Sequence, residues 1–302
     1  MRASAPRCSG SSSRSRMRRN VTNEPRFCTC WNGISGVSKA LSRIIALVNQ
    51  KGGVGKSTTA VNLGAALAVR GQRVLVVDSD PQGNTTTGFG IDKGRIERDV
   101  YDVLMQQATI AEVIQPTEIE GLHVVPATIN LAGAEIELVS GLSRETRMRS
   151  ALAPIADTYD FTLIDCPPSL GLLTINALTA AREIVIPVQA EYYALEGLSQ
   201  LTNVVRRVRE ALNPTLHVSG VLVTMFDGRT RLAMEVLDEL ERYFPEQMFK
   251  TQIPRNIRLS EAPSFGKPVI LFDIKSRGAQ AYISLAKEML DAMPAAVEAA
   301  AR

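Results

Sequence analysis

Long apolar runs, paired cysteines and a hydrophobic leader are all missing from these 302 residues. No stretch approaches the roughly 18 uninterrupted apolar residues that a membrane-spanning helix needs. The four cysteines, Cys8, Cys28, Cys30 and Cys166, are too few for a disulfide scaffold and point to a reducing compartment. None of them falls in a C-x-x-C pair, which argues against a zinc ribbon or a conventional iron–sulfur site. The N-terminal stretch has no apolar core of the length a secretory signal requires. Strong overall charge is lacking too: the net value is +3. It is unevenly spread, however. Residues 1–40 carry eight basic residues and one acid, Glu24, whereas residues 41–302 carry 26 basic and 30 acidic residues. The leader is therefore +7 and the body −4, so any nucleic-acid contact by the body must use a local patch.

What is present divides at about residue 40. Residues 1–40 are rich in Ser, Arg and Gly and are expected to be a disordered basic leader, because they offer little apolar surface to offset ordering entropy. A transit peptide, a tail that touches DNA phosphates and an over-extended start, with translation beginning near Met17 or Val37, all remain open. Residues 41–302 read as one domain, with no internal repeat. Short buried strands are predicted at 44–48, 74–77, 122–125, 161–164, 184–188, 218–224 and 248–253. Helices are predicted at 57–70, 132–139, 144–155, 172–181, 195–212, 232–244 and 278–293, with Gly71 ending the first. This alternation predicts an α/β fold, a mainly parallel twisted sheet with helices on both faces.

One segment carries specific chemistry. Lys51-Gly52-Gly53-Val54-Gly55-Lys56-Ser57-Thr58 lies between the first strand and the first helix. Glycines let backbone N–H groups curl around phosphate oxygens, and the helix N-terminus adds its positive end. Lys56 is set to reach the β- and γ-phosphates, and the Ser57 hydroxyl to ligate Mg²⁺. The loop departs from G-x-x-x-x-G-K-[ST], because Gln50 stands where the first Gly belongs, and it adds a second lysine, Lys51. The bland alternatives are a turn that binds nothing and a solvated surface lysine. Two further carboxylate segments end predicted strands. Asp78-Ser79-Asp80-Pro81-Gln82-Gly83-Asn84 sits where ligands bind in parallel sheets, although it also reads as a capped turn. Phe161-Thr162-Leu163-Ile164-Asp165 is an apolar strand closed by a carboxylate, the Walker B arrangement for holding Mg²⁺. Cys166 reads as a small buried filler. Arg206, Arg207 and Arg209 read first as the solvated basic end of a helix.

The K-G-G-V-G-K-[ST] loop resembles the deviant Walker A motif of the ParA/MinD family of P-loop ATPases. D-x-D-P-Q-G-N at Asp78–Asn84 resembles that family's partition branch. Thr224-Met225-Phe226-Asp227-Gly228-Arg229 and Ile253–Ser264 resemble its bacterial chromosomal members, often called Soj, and the likeness runs over nearly all of residues 43–290. The resemblance implies ATP and Mg²⁺ as cofactors. It implies that Lys51 reaches the phosphates of a partner in an ATP-sandwich homodimer, and that Asp80 orients the attacking water. Ser57, Asp78 and Asp165 would serve the metal, and Thr224 and Pro254 would flank the adenine. Arg229 and Arg258 would bind non-specific duplex DNA, a backbone contact sensitive to salt and indifferent to sequence. Pairing of these two arginines with local acids such as Asp227 and Glu261 is the alternative. A ParB-like centromere-binding protein would stimulate a slow basal hydrolysis, and the chain would be cytoplasmic and nucleoid-associated, without a membrane. The competing reading is a MinD-like or cargo-positioning ATPase. The C-terminal stretch 288–302 has one base against three acids and a proline, which suits an anionic membrane poorly. Relatives that hold a cluster fit poorly because Cys166, directly after Asp165, is not the arrangement they need, and those that need a C-terminal C-x-x-C fit poorly because no cysteine follows Cys166.

Overall fold

Five of the seven strands are short apolar runs in which neighbouring residues face opposite sides of one sheet. The computed structural model describes residues 42–191 and 194–292, together with Met1; the leader expected at 1–40 and the C-terminal residues 293–302 lie outside the described residues. The described residues from Ser42 onward belong to one compact unit. The strands are β1 (Arg43–Leu47), β2 (Val74–Asp78), β3 (Gln115–Pro116), β4 (Leu122–Val125), β5 (Phe161–Asp165), β6 (Glu183–Gln189) and β7 (His217–Thr224). They lie in the order β3-β4-β2-β5-β1-β6-β7. All pairings are parallel except β3 with β4. Strand alternation divides the core into two layers. Ala46, Val48, Leu75, Val77 and Ile164 face one layer, closed by helices such as Leu172–Ala180 and Arg231–Tyr243. Ile45, Leu47, Val74, Val76 and Leu163 face the other, closed by α1 (Lys56–Val69) and the helix Arg277–Asp291. Cys166 is fully buried in the first layer.

Six of the predicted strands form within a residue or two. The segment 248–253 does not form a strand. It runs along the outer edge of β7, with Val221 paired to Gln247 and Phe249, and Val223 accepting from Ile253. Between these points the Thr251 N–H, which would continue the ladder, donates instead to the Glu288 carboxylate (2.9 Å), which also accepts from the outward-facing Lys250 N–H (2.6 Å). The two-residue β3 has no apolar pattern to mark it. Helix α1 ends as expected at Gly71: the N–H groups of Gly71 and Gln72 bond back to the carbonyls of Ala68 and Leu67. The helix Arg277–Asp291 buries Ala279, Tyr282, Leu285, Ala286 and Met289, and its fully buried Tyr282 hydroxyl meets Thr59 of α1 at 3.1 Å. Its apolar face is thus used inside the fold.

The consequence for function is geometric. β1 lies between β5 and β6: the connection after β1 runs to β2 on the β5 side, whereas the connection after β5 crosses β1 to reach β6 on the other side. A crevice opens there at the carboxyl ends of the strands. Lys51–Ser57, Asp78–Asp80, Asp165 and Thr224–Met225 all follow strand ends at that one rim.

Candidate functional site

The loop after β1 wraps into the start of α1. Gly55 is its N-cap and has φ +87°, a left-handed conformation open to glycine and strained for other residues. Thr224, from the end of β7, is buried against it and donates its hydroxyl to the Val54 carbonyl at 2.8 Å. Lys56 is nearly buried, and its Nζ donates to the Lys51 carbonyl at 3.2 Å. Burial pushes its ammonium below the usual lysine range, while Asp165, Cys166 and Asp80 oppose that shift. A cavity of about 420 Å³ opens over the loop, lined by Gly53, Gly55, Lys56, Ser57, Thr58 and Asp80 among others.

Asp78 and Asp165 are paired in register on β2 and β5 and are fully buried. Asp78 is held from all sides. One oxygen accepts from the Thr86 N–H (2.8 Å) and hydroxyl (2.7 Å), the other from the Asp80 N–H (3.2 Å). It therefore supports the site from behind and does not line the cavity. One oxygen of Asp165 accepts from the Thr85 hydroxyl at 2.7 Å. Its Oδ1 is buried without a hydrogen-bond partner among the described residues, and Ser57 lies near enough to lower its carboxyl. An orphaned carboxylate oxygen beside a hydroxyl at a phosphate loop is a donor set that suits Mg²⁺. Desolvation raises both carboxyls, helped at Asp78 by the Asp165 charge. Asp80 holds the Gln82 N–H at 2.9 Å and reaches the cavity.

The remaining candidates fall into three groups. Lys51 lies at the rim and pairs with Glu191, just beyond β6. Thr224 and Pro254 line a second cavity of about 510 Å³ next to Gly55 and Thr58, with Met225 and Ile253. Arg229 and Arg258 lie outside both cavities and are exposed. Arg229 grips Asp227 with two donors, at 2.8 and 2.6 Å, and holds its carboxyl down at about 2. Arg258 bonds Glu261 at 2.8 Å and Asp273 at 3.3 Å. Both local pairings are present, and exposed pairs of this kind are readily exchanged for phosphate.

Sequence reading missed Thr85 and Thr86, which brace Asp165 and Asp78 from the short helix α2 (Asn84–Gly88). The run of threonines after Asn84 was the available signal. It also missed Met225, which has φ +49° and lines both cavities, and Glu191, the partner of Lys51.

Known proteins resemble this chain in sequence and in fold. A family model described as an AAA domain matches residues 42–218. The sporulation initiation inhibitor protein Soj of Bacillus subtilis (strain 168) is 60% identical over 249 residues, covering 82% of this chain and 98% of that protein. The chromosome partitioning protein ParA of Myxococcus xanthus (strain DK1622) is 54% identical over 250 residues, covering 83% and 88%. Among solved structures, cobyrinic acid a,c-diamide synthase from Mycobacterium smegmatis with bound ADP and magnesium superposes with TM-score 0.73 at 37% identity, covering 83% of this chain and 94% of that one.

Proposed function

The chain belongs to the Soj/ParA family of chromosome-partitioning ATPases, within the wider ParA/MinD group, and from that membership we propose that it is an ATP-driven switch on DNA. ATP would sit with its phosphates over the Lys51–Thr58 loop and its base in the apolar cavity beside Thr224 and Pro254. Two such chains would close face to face. Lys51 would then leave Glu191 for the phosphates of the partner, since a rim ion pair is easily exchanged. The closed pair would hold duplex DNA through arginines that include Arg229 and Arg258, and hydrolysis stimulated by a ParB-like protein would release it. The setting is the nucleoid in the cytoplasm.

The observation that carries this reading is the meeting of Lys56, Ser57, Asp80 and the unpartnered Asp165 Oδ1 at one crevice. Mg²⁺ held by Ser57 and Asp165 would neutralise phosphate charge. Lys56 adds a buried cation from the protein itself, and Asp78 keeps the Asp80 turn in place. Asp80 is free on one oxygen to accept a hydrogen bond from the attacking water. Positioning and charge account for most of what phosphoryl transfer asks of a protein.

Asp80→Ala tests the reading. It should bind ATP and random-sequence duplex DNA as the wild type does, yet hydrolyse ATP at least about tenfold more slowly. Wild-type turnover in Asp80→Ala would remove that residue from the mechanism. Wild-type protein that binds DNA equally with ATP, with ADP and with neither would overturn the switch.

A further inference from the structure

We propose that Arg255 and Arg277 join Arg229 in a groove that receives the phosphodiester backbone of duplex DNA. The inference rests on the DNA-binding reading above and adds to it a place and two residues. The groove has a volume of about 820 Å³ and is lined by Asp227, Arg229, Gln252, Arg255, Arg277 and Gln280, among others. It lies at the carboxyl end of β7, where Phe226 bridges to Pro254. Pro254 and Arg255 also line the cavity next to the phosphate loop, so the groove and the nucleotide cavity share one wall and the single Arg277→Gln variant, at a position outside that cavity, carries the test.

The charge balance of the groove is decisive. Its lining holds three arginines and one acid, Asp227. That acid is already taken by both donors of Arg229. Arg255 lies near enough to help hold the Asp227 carboxyl down, after Arg229, but no ion pair joins it to any described carboxylate. Arg277 is likewise exposed, with no ion pair among the described residues. Some other surface arginines, Arg206, Arg231 and Arg258, find carboxylates within the chain, whereas Arg207, Arg209 and Arg242, like Arg255 and Arg277, have no ion pair among the described residues but do not converge on one groove. Nor does the charge of Arg277 serve its own helix. Arg277 is the first residue after the N-cap Ser276, where the helix dipole disfavours a cation, and no acid stands in that first turn. Of the neutral polar groups in the lining, the Gln280 amide already donates to the Ile274 carbonyl at 2.7 Å, which leaves Gln252 as a further donor suited to a phosphate oxygen and not to reading a particular base.

The test uses the full chain with saturating ATP and Mg²⁺ and random-sequence duplex DNA over a range of salt. Arg277→Gln and the Arg255→Gln/Arg277→Gln double variant should each bind more weakly, the double variant by about tenfold or more. The plot of log affinity against log salt should flatten by about 0.9 for each phosphate the variant no longer neutralises. Arg277→Lys should keep most of the slope. The melting temperature of Arg277→Gln should equal or exceed that of the wild type, so weaker binding would not reflect misfolding. If the wild type binds DNA only with ATP and these variants match it in affinity and slope, the groove is not a DNA site, while the parent reading stands. If the wild type shows no ATP-dependent DNA binding, the parent reading fails and this inference with it. A parallel arm uses inorganic pyrophosphate. If pyrophosphate stabilises the wild type but not Arg277→Gln, and the DNA slope is unchanged, the groove takes a small phosphorylated molecule and the DNA assignment is overturned.

Discussion

Two buried carboxyls side by side, Asp78 and Asp165, make the pH response of the apoprotein predictable. Both are raised in the folded state, first by desolvation. A raised carboxyl means that the folded chain holds more protons than the unfolded chain above the ordinary carboxylate range, about pH 4. Stability contributed by the protonated form is complete below that range and is lost as pH rises through the folded-state values. In chelator and without nucleotide, these two carboxyls should lower the melting temperature as pH rises from about 5.5 to 8.5, against an opposite contribution below about pH 6.5 from His123, whose pKa burial lowers. Asp78→Asn should melt lower overall, because it sets an amide against the Asp80 N–H, but its pH dependence should be flatter. Equal slopes in thermal melts of the two proteins would contradict this account. At this scale the sequence made Lys56, Ser57, Asp80 and Asp165 legible, because spacing from strand ends carries them to one rim. The bracing of Asp165 by Thr85 and of Asp78 by Thr86 was not legible, since it depends on where α2 settles against the sheet. Local acids for Arg229 and Arg258 were readable as neighbours in the chain, whereas the groove around Arg255 and Arg277 needs residues more than 20 positions apart to converge.

At the scale of elements, the long helices were readable from apolar spacing over several turns, and the buried strands as short uninterrupted apolar runs. Short helices such as Val100–Leu104 and Ile257–Glu261 were not, having scarcely more than one turn in which to show a pattern. The edge segment 248–253 has strand-like composition, but strand formation also requires free backbone donors, and Glu288 has taken the one at Thr251 that would face β7. One side chain has comparable influence over a helix end. The two N–H hydrogens of the buried Asn213 amide are shared among the carbonyls of Leu178 (2.9 Å), Thr179 (3.2 Å) and Ala181 (2.6 Å), where the helix Leu172–Ala180 stops. Asn213→Ala would leave those acceptors buried without that donor, which costs roughly 2–3 kcal/mol. Urea unfolding should show a lower midpoint with an unchanged slope.

For the molecule as a whole, a ligand that binds only the folded chain stabilises it by mass action. At 100 times its dissociation constant, ATP with Mg²⁺ should add about 2.7 kcal/mol. In a domain of this size that is roughly 5–10 °C in melting temperature. Lys56→Ala should show no such shift. A shift of wild-type size in that variant would mean that nucleotide binds elsewhere.

Both margins of the sheet are closed off. On one side the edge strand β3 is two residues long, runs antiparallel, and contains Pro116, which has no N–H to offer. On the other, residues 247–253 occupy hydrogen-bonding positions along β7. Neither border therefore offers a long unpaired strand for ordered fibre growth. Molecules crowded together have little opportunity to template one another into cross-β stacks. Among the described residues, contact between copies is left to loops and side chains, and such contacts can be undone.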